Sequence, residues 1–350
     1  MILKLSFFII LLAFIFQSLK SLELHASLCT EDKKMLILSQ SESESSDILQ
    51  EYFEAYDSKV IQAFLDESAE LNIEKNFFIS RGKKFWLDEF YMVYFRTWGN
   101  SLSRSLAHKW QPLFEGQGIP CLETLFTKNL VHNKYRMLQL FKDKGIPHPS
   151  TIIAMEGSRE ELLQRIEEKF TNKIVIKAEG SGGKKTFFHS VSDQEGILQT
   201  LQREFFQGNE IEFPVVVQKY ITNKDSENLS YHFRVIVISA ELVLAMRFTA
   251  KDSETLASNI ALGANSELIS LDFLTSEQKN MLLYACNVMH VKVAGVDLIL
   301  TQEGKMFILD VNNSPGLMTA YKLGEDKHLK KIVQFSQNHR TSLKFENFFP

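Results

Sequence analysis

Cysteine is scarce in this sequence. The 350-residue chain holds 3, at Cys29, Cys121 and Cys286. They are too few and too scattered for a disulfide framework or a paired-cysteine zinc site. With 7 Pro and 16 Gly the chain is neither collagen-like nor low-complexity. Neither sign of charge dominates: 39 Lys and Arg stand against 43 Asp and Glu, a formal net charge of −4. A nucleic-acid-binding domain usually carries a clear basic excess, so the balance argues against nucleic acid as a partner. Long apolar runs are missing too, apart from one at the start. Residues 5–16 (LSFFIILLAFIF) follow Lys4 and give way to Gln17, Ser18 and Lys20. The run falls short of the roughly 20 apolar residues that span a bilayer and has the shape of a signal-peptide core. Leu24 spoils a small-residue cleavage site at Ala26, and Leu28 spoils a lipoprotein box before Cys29. Residues 1–30 are read as an apolar leader, signal-like or anchoring, with membrane contact expected through residues 1–20. The competing reading is a leader of no structural consequence, with Met35 opening the folded chain. Either way the segment is set aside from the fold.

What is present is ordinary for a folded chain. Hydrophobic residues make up 45% and charged residues 23%, which excludes intrinsic disorder. The 28 Phe are read as core. The length suggests about two domains. Apolar runs at residues 35–39, 60–65, 76–80, 90–95 and 119–122 read as strands, with helical stretches at 48–56 and 101–114. Strands alternating with helices predict a small parallel α/β domain over residues 33–123. A second domain is expected over 126–325, with a central lobe at about 150–216 and a C-terminal lobe at about 217–325. Its strands are predicted at 151–154, 173–177, 186–191, 214–220, 233–239, 242–248, 294–300 and 305–311. Its helices are predicted at 134–144, 159–170, 194–206 and 276–289. Residues 326–350 are a polar, basic tail without a strong reading.

Two features carry chemistry. The first is the loop after the strand KIVIK: Gly180, Ser181, Gly182 and Gly183, flanked by Lys177, Lys184 and Lys185. Such a loop lets backbone N–H groups approach an anion. A Walker A loop fails at Ala178 and Lys185, and a dinucleotide fingerprint must open a helix, whereas TFFHSV reads as a strand. That disfavours a nicotinamide dehydrogenase. A strand–loop–strand flap over phosphates fits, although a plain glycine-rich hairpin would look the same. The second feature is acidic. Asp310 and Asn312 lie two apart in a strand and so share a face; Asp297 joins them if the last two strands form a hairpin. Two carboxylates and an amide oxygen suit Mg²⁺, which takes few carboxylates together with substrate phosphates. The plainer reading, a strand-end turn, accounts for Ser314-Pro315-Gly316 but not for Asp310 after an apolar run.

The two features together, with the segments around them, resemble the ATP-grasp superfamily, most closely its RimK-type branch of amino-acid ligases, with glutathione-synthetase-like enzymes nearby. The matching segments are Asn133-Lys134 with Gly145-Ile146-Pro147-His148-Pro149, Val175-Ile176-Lys177 with the glycine loop, Val217-Gln218-Lys219-Tyr220-Ile221, Phe233-Arg234-Val235, Ala245-Met246-Arg247, Ser258-Asn259 with Gly263, Gly295-Val296-Asp297-Leu298, and Asp310-Val311-Asn312-Asn313-Ser314-Pro315-Gly316. The resemblance implies a pre-ATP-grasp α/β domain followed by a two-lobed ATP-grasp fold. It also implies an ATP- and Mg²⁺- (or Mn²⁺-) dependent carboxylate–amine ligase working through an acyl phosphate. Its partners would be ATP, a carboxylate and an amine, with glutamate added to a peptide or protein as one form. By the same resemblance Lys134 and Lys177 contact ATP phosphates, and Gly180, Ser181, Gly182 and Gly183 cover them. Gln218, Lys219, Tyr220 and Ile221 meet adenine, and Glu227, ahead of Asp225, meets the ribose. Asp297, Asp310 and Asn312 hold the metal. Arg234 and Arg247 hold the transferred phosphate or the acyl phosphate, and Asn259 stands near phosphate and metal.

The resemblance has departures. His232 stands where many relatives place an acid, and Asp310 where Glu is commoner. These motivate the alternative of a catalytically inactive nucleotide-binding module. Acyl-phosphate chemistry needs no thiol, so Cys121 and Cys286 are expected in the core. Arg96, after the strand at 90–95, reads either as a surface salt bridge or as a group that binds a substrate carboxylate. Asn312-Asn313-Ser314 is formally a glycosylation sequon. Glycosylation there would destroy the metal site, which favours the cytoplasm, as does the need for ATP.

Overall fold

A computed structural model describes residues 33–56, 59–96, 101–122, 133–177, 186–208, 210–211, 214–253, 256, 258 and 263–346. The apolar leader, the glycine loop and Asn259 lie outside the described residues. Among the described residues, no helix is long and apolar enough to cross a membrane. The chain divides into two units, one running to Leu122 and resuming at Ile332, the other covering Glu123–Lys331.

The first unit contains β1 (Lys34–Ser39), α1 (Glu44–Ala55), β2 (Val60–Phe64), β3 (Glu70–Asn72), β4 (Phe77–Ser80), β5 (Lys83–Trp86), β6 (Phe90–Arg96) and α2 (Ser101–Gly116). Strands β2, β1 and β6 form a parallel sheet in that order. Both faces of β1 and β6 are covered, hence the continuous apolar runs MLIL and FYMVYF. Ser43 caps α1 by accepting from the Ser46 N–H, which contributes on the order of 1 kcal/mol. The predicted strand at 119–122 is reduced to one bridge, Cys121 beside Val93. Strands β3, β4 and β5 form a separate antiparallel sheet. Its Phe78 and Phe85 share a core cluster with Trp110 and Phe114 of α2 and with Cys121.

The second unit opens with α3 (Lys134–Asp143), β7 (Thr151–Ala154), α4 (Arg159–Lys169), β8 (Lys173–Lys177), β9 (Thr186–Ser190), α5 (Gln194–Phe205), β10 (Phe206–Gln207), β11 (Glu210–Ile211) and β12 (Val215–Lys219). It continues with β13 (Asn223–Lys224), β14 (Ser230–Ile238), β15 (Glu241–Thr249), β16 (Asn265–Ile269), α6 (Ser276–Val288), β17 (Val293–Leu300), β18 (Met306–Asn312) and α7 (Met318–Lys322). Helix α8 (Lys327–Glu346) follows, and from Ile332 on it belongs to the first unit. It occupies much of the segment read from sequence as a tail. Its Leu329, Ile332, Val333 and Ser336 are buried, and Ser336 Oγ lies 3.1 Å from the Tyr91 hydroxyl.

Two sheets organise this unit. The four-stranded one, in the order β7-β12-β8-β9, is antiparallel and packs Ile152, Ile174, Ile176 and Val217 against Ile166 of α4 and Leu201 of α5. The larger one runs β16-β15-β14-β17-β18, with β13 beside β14. It packs Val235, Val296, Leu298 and Val311 against Phe141 of α3 and Leu282, Ala285 and Cys286 of α6. Helix α3 stops at Gly145, whose φ of 66° an L side chain adopts only with strain. The Ile308 N–H then donates to the Pro147 carbonyl at 2.8 Å, tying the Ile146-Pro147-His148-Pro149 segment to β18. Capping boxes at Ser158/Glu161 and Thr275/Gln278 fix the starts of α4 and α6.

Candidate active site

The site is built on the larger sheet, and strand register decides which side chains meet. Asp297 of β17 is the cross-strand partner of Arg234 on β14 and of Asp310 on β18. Asn312 pairs with Gly295. Paired residues point the same way and strand neighbours alternate, so His232, Arg234, Asp297, Asp310 and Asn312 share one face. Two ion pairs lie on that face. Arg234 Nε and Nη2 donate to Asp297 Oδ1 and Oδ2 at 2.6 and 2.8 Å, a two-pronged clamp. Lys134, at the first position of α3, donates from Nζ to Asp310 Oδ2 at 2.7 Å. Gly295 makes room for both the turn and the clamp. A Cβ there would stand 2.9 Å from Pro315 Cβ and 3.5 Å from Arg234 Cδ.

The electrostatics follow from burial and pairing. Burial disfavours the Asp297 carboxylate, but the charge and hydrogen bonds of Arg234 outweigh it and hold the group below the usual carboxylate range. Burial likewise opposes the Arg234 charge, and Asp297 raises it despite that. His232 is pushed below its ordinary value by burial, with Arg234 adding to the shift and Asp297 opposing it. Its Nδ1 lies 2.6 Å from Ser258 Oγ, its Nε2 4.0 Å from Asp297 Oδ1, and its ring stacks on Phe248. Lys177, at the end of β8, is brought down to about 8 by burial and by Lys134, with Asp310 and Asp297 opposing. Lys134 and Lys177 line one small recess with Tyr135, Pro214 and Val216. The sequence reading singled out neither the last three nor Phe248. Only the hairpin register, which pairs His232 with Phe248, would have pointed to Phe248.

Other expected site residues are placed differently. Lys177 and Thr186, which bracket the glycine loop, are partners in an antiparallel ladder, and the described residues that follow form β9. Gln218 is buried and its side chain donates to Thr151 Oγ1. The N–H groups of Lys219 and Tyr220 donate to the carbonyls of Ser150 and Lys173. Tyr220 also donates its hydroxyl to the Leu256 carbonyl. Glu227 is exposed in a turn whose Asp225 accepts from the Glu227 and Leu229 N–H groups. Arg247 does not join Arg234. It pairs with Phe233 in the register and so faces the opposite side of the sheet. There it donates to Asp225 at 3.2 Å, lies 3.6 Å from Glu267 and covers the Tyr231 ring. One position of strand parity separates it from the phosphate-binding role expected of it.

The donor set bears on what the face can hold. Asp297, Asp310 and Asn312 offer only hard oxygen donors, which suit Mg²⁺ or Mn²⁺. Among the described residues, no three His, Cys, Asp or Glu side chains cluster closely enough to hold a metal ion by themselves. The residues therefore fit a cation that arrives with oxygen ligands of its own, such as phosphates.

The sequence profile of the RimK-like ATP-grasp domain matches residues 131–334. A probable alpha-L-glutamate ligase of Pasteurella multocida (strain Pm70) is 28% identical over 229 residues, 65% of this chain and 67% of that protein. One of Legionella pneumophila (strain Corby) is 28% identical over 236 residues, 65% of this chain and 72% of that protein. Among solved structures, D-alanyl-alanine synthetase A from Vibrio cholerae O1 biovar eltor str. N16961 superposes with a TM-score of 0.66 at 15% identity, covering 90% of this chain and 99% of that one. ATP-grasp ligase PsnB complexed with minimal precursor, Mg and ADP gives 0.62 at 14% identity, covering 89% and 99%. At such identities these structures show the ATP-grasp fold.

Proposed function

Because the chain belongs to the RimK-like ATP-grasp family, whose members are ATP-dependent carboxylate–amine ligases, we propose that its larger sheet carries the ligation site and that it joins an amino acid such as glutamate to a peptide or protein. The observation that carries this reading is the pair of ion pairs on one face, Lys134 with Asp310 and Arg234 with Asp297. Without nucleotide, each carboxylate is neutralised by a cation of the chain. With nucleotide, Lys134, Lys177 and Arg234 would turn to phosphate oxygens, and Asp297, Asp310 and Asn312 would hold the metal. Bound Mg²⁺ or Mn²⁺ supplies neutralisation of the phosphate charge. The chain needs no nucleophile of its own; its work is positioning and charge stabilisation. The γ-phosphoryl group passes to a substrate carboxylate oxygen as its bond to the bridging oxygen breaks and ADP leaves; the amine attacks the acyl carbon, phosphate leaves, and the amine gives up a proton. Gly180, Ser181, Gly182 and Gly183 are assigned to cover the phosphates, and Asn259 to stand near them. Adenine is assigned to Gln218, Lys219, Tyr220 and Ile221. The Lys219 and Tyr220 N–H groups are already taken, so carbonyl oxygens or the Ile221 amide read the base. Glu227 is assigned to the ribose, because Asp225 is engaged in its own turn and with Arg247.

An ATP-consuming site with a sequon at Asn312 belongs in the cytoplasm, with residues 1–20 as its membrane contact. The test is ADP release by the purified chain with Mg·ATP, L-glutamate and pooled peptides. Release that depends on both substrates and is lost in Lys177→Ala supports the reading. Tight Mg·ATP binding without turnover across the panel supports a binding module instead. Normal turnover in Lys177→Ala overturns the site assignment.

A further inference from the structure

Arg96 closes β6 at its carboxyl end. It is only 7% exposed. Its contacts are with Tyr94: Nη1 donates to the hydroxyl at 3.4 Å, and the guanidinium lies 5.5 Å from the ring centroid. Among the described residues, no carboxylate lies within ion-pair distance of it, so it forms no surface salt bridge there. A guanidinium cannot shed its charge by losing a proton, and a buried charge is normally paired. The fold keeps a cation here that its described side chains leave unneutralised.

Its place in the sheet is informative. Strand order within the parallel sheet is β2-β1-β6. From β1 the chain crosses through α1 to β2 on one side, and β6 later joins on the other. The carboxyl ends of β1 and β6 therefore flank the point where strand order reverses, which is where open α/β sheets bind ligands. Ser39 and Arg96 are the last residues of those two strands and are register partners on one face. Strand β1 leads within a few residues into α1, whose first turn carries exposed Glu44 and Asp47.

We propose that Arg96 is an anion-binding residue for the carboxylate of an amino-acid substrate. The planar fork of the guanidinium matches a carboxylate in two-pronged fashion. Phosphate offers the same oxygen pair with more charge, but Arg81, the cation paired to Glu42 in the loop after β1, is already neutralised by Glu42 and Asp66, and the acidic first turn of α1 repels a dianion. That same turn suits the ammonium of an α-amino acid. The proposal rests on the ligase reading, and the test separates the two.

The probes are L-glutamate, inorganic phosphate and sodium chloride at matched ionic strength, added to the full chain during thermal unfolding. L-glutamate at roughly ten times its Kd is expected to raise the wild-type midpoint by about 2 °C over chloride. Arg96→Met is expected to lose that response while unfolding, ligand-free, at or above the wild-type midpoint, because it breaks no ion pair. Arg96→Lys, which keeps the charge without the fork, is expected to need at least several-fold more L-glutamate for the same shift. Equal responses to L-glutamate and chloride in the wild type overturn the proposal. So does protection by phosphate alone, a glutamate response retained in Arg96→Met, or a ligand-free midpoint several degrees lower in that variant. Mg·ATP, run in parallel on the wild type, reports on the ligase reading. Glutamate protection without Mg·ATP protection would overturn that reading and leave the anion site standing.

Discussion

Removing Arg234 should expose how the site is held together. Asp297 has both carboxylate oxygens clamped by Arg234 at 2.6 and 2.8 Å, and its side chain is 14% exposed. Arg234→Met leaves that carboxylate buried without its main partner, a change that costs about 3–5 kcal/mol in comparable pairs. Asp297→Leu strands the guanidinium at similar cost. Replacing both removes the uncompensated charge, and such double replacements are commonly neutral or stabilising. The expected coupling is therefore at least about 3 kcal/mol. Urea unfolding followed by circular dichroism measures it. The pH dependence adds a sign. In the wild type, the Asp297 carboxyl is held below its ordinary value, so its contribution is present above pH 3.8, the ordinary value, and is lost as pH falls through the folded value. In Arg234→Met, burial instead raises the carboxyl, so the folded state binds the extra proton and the deficit shrinks as pH falls toward 4. A double variant that loses the sum of the two single losses, with no change of sign in the pH profile, would refute the reasoning.

Other expectations follow from single residues. Gly295→Ala places a Cβ 2.9 Å from Pro315 and should cost about 1–3 kcal/mol in urea unfolding while weakening Mg·ATP binding. Lys177 sits at about 8 without nucleotide, so Mg·ATP affinity should fall as pH rises through 8, with proton uptake visible by calorimetry in buffers of different ionisation heat; Lys177→Arg should flatten that dependence. Arg247→Met should lower stability through loss of Asp225 and Tyr231 contacts yet leave ADP release within about threefold of wild type at saturating substrate, whereas Arg234→Met should abolish it; comparable losses of turnover in both would contradict the placement of Arg247 on the far face.

How much of this was readable beforehand turns on parity and register. Asp310 and Asn312 lie two apart, so their shared face follows from the strand period alone. Placing Asp297 opposite Asp310 needed only the short turn between β17 and β18. Arg247 was harder. The alternation in β15 is visible, but which residue of β14 faces it depends on the hairpin register, and a shift of one residue exchanges the faces. Strand β16, sequence NSELI, carries too little apolar signal to stand out at the sheet edge. Helix α8 is legible in its spacing: Leu329, Ile332, Val333 and Ser336 recur at helical intervals and are buried. Arg96 is the opposite case, since only the fold shows that no described carboxylate answers it.

The most direct test of the site is a crystal structure of the full chain with Mg²⁺ and a non-hydrolysable ATP analogue. The expected result is a metal about 2.0–2.1 Å from oxygens of Asp297 and Asp310, with Lys134 and Arg234 turned toward phosphate oxygens. A nucleotide whose phosphates lie elsewhere, with the Lys134–Asp310 and Arg234–Asp297 pairs intact, would contradict it.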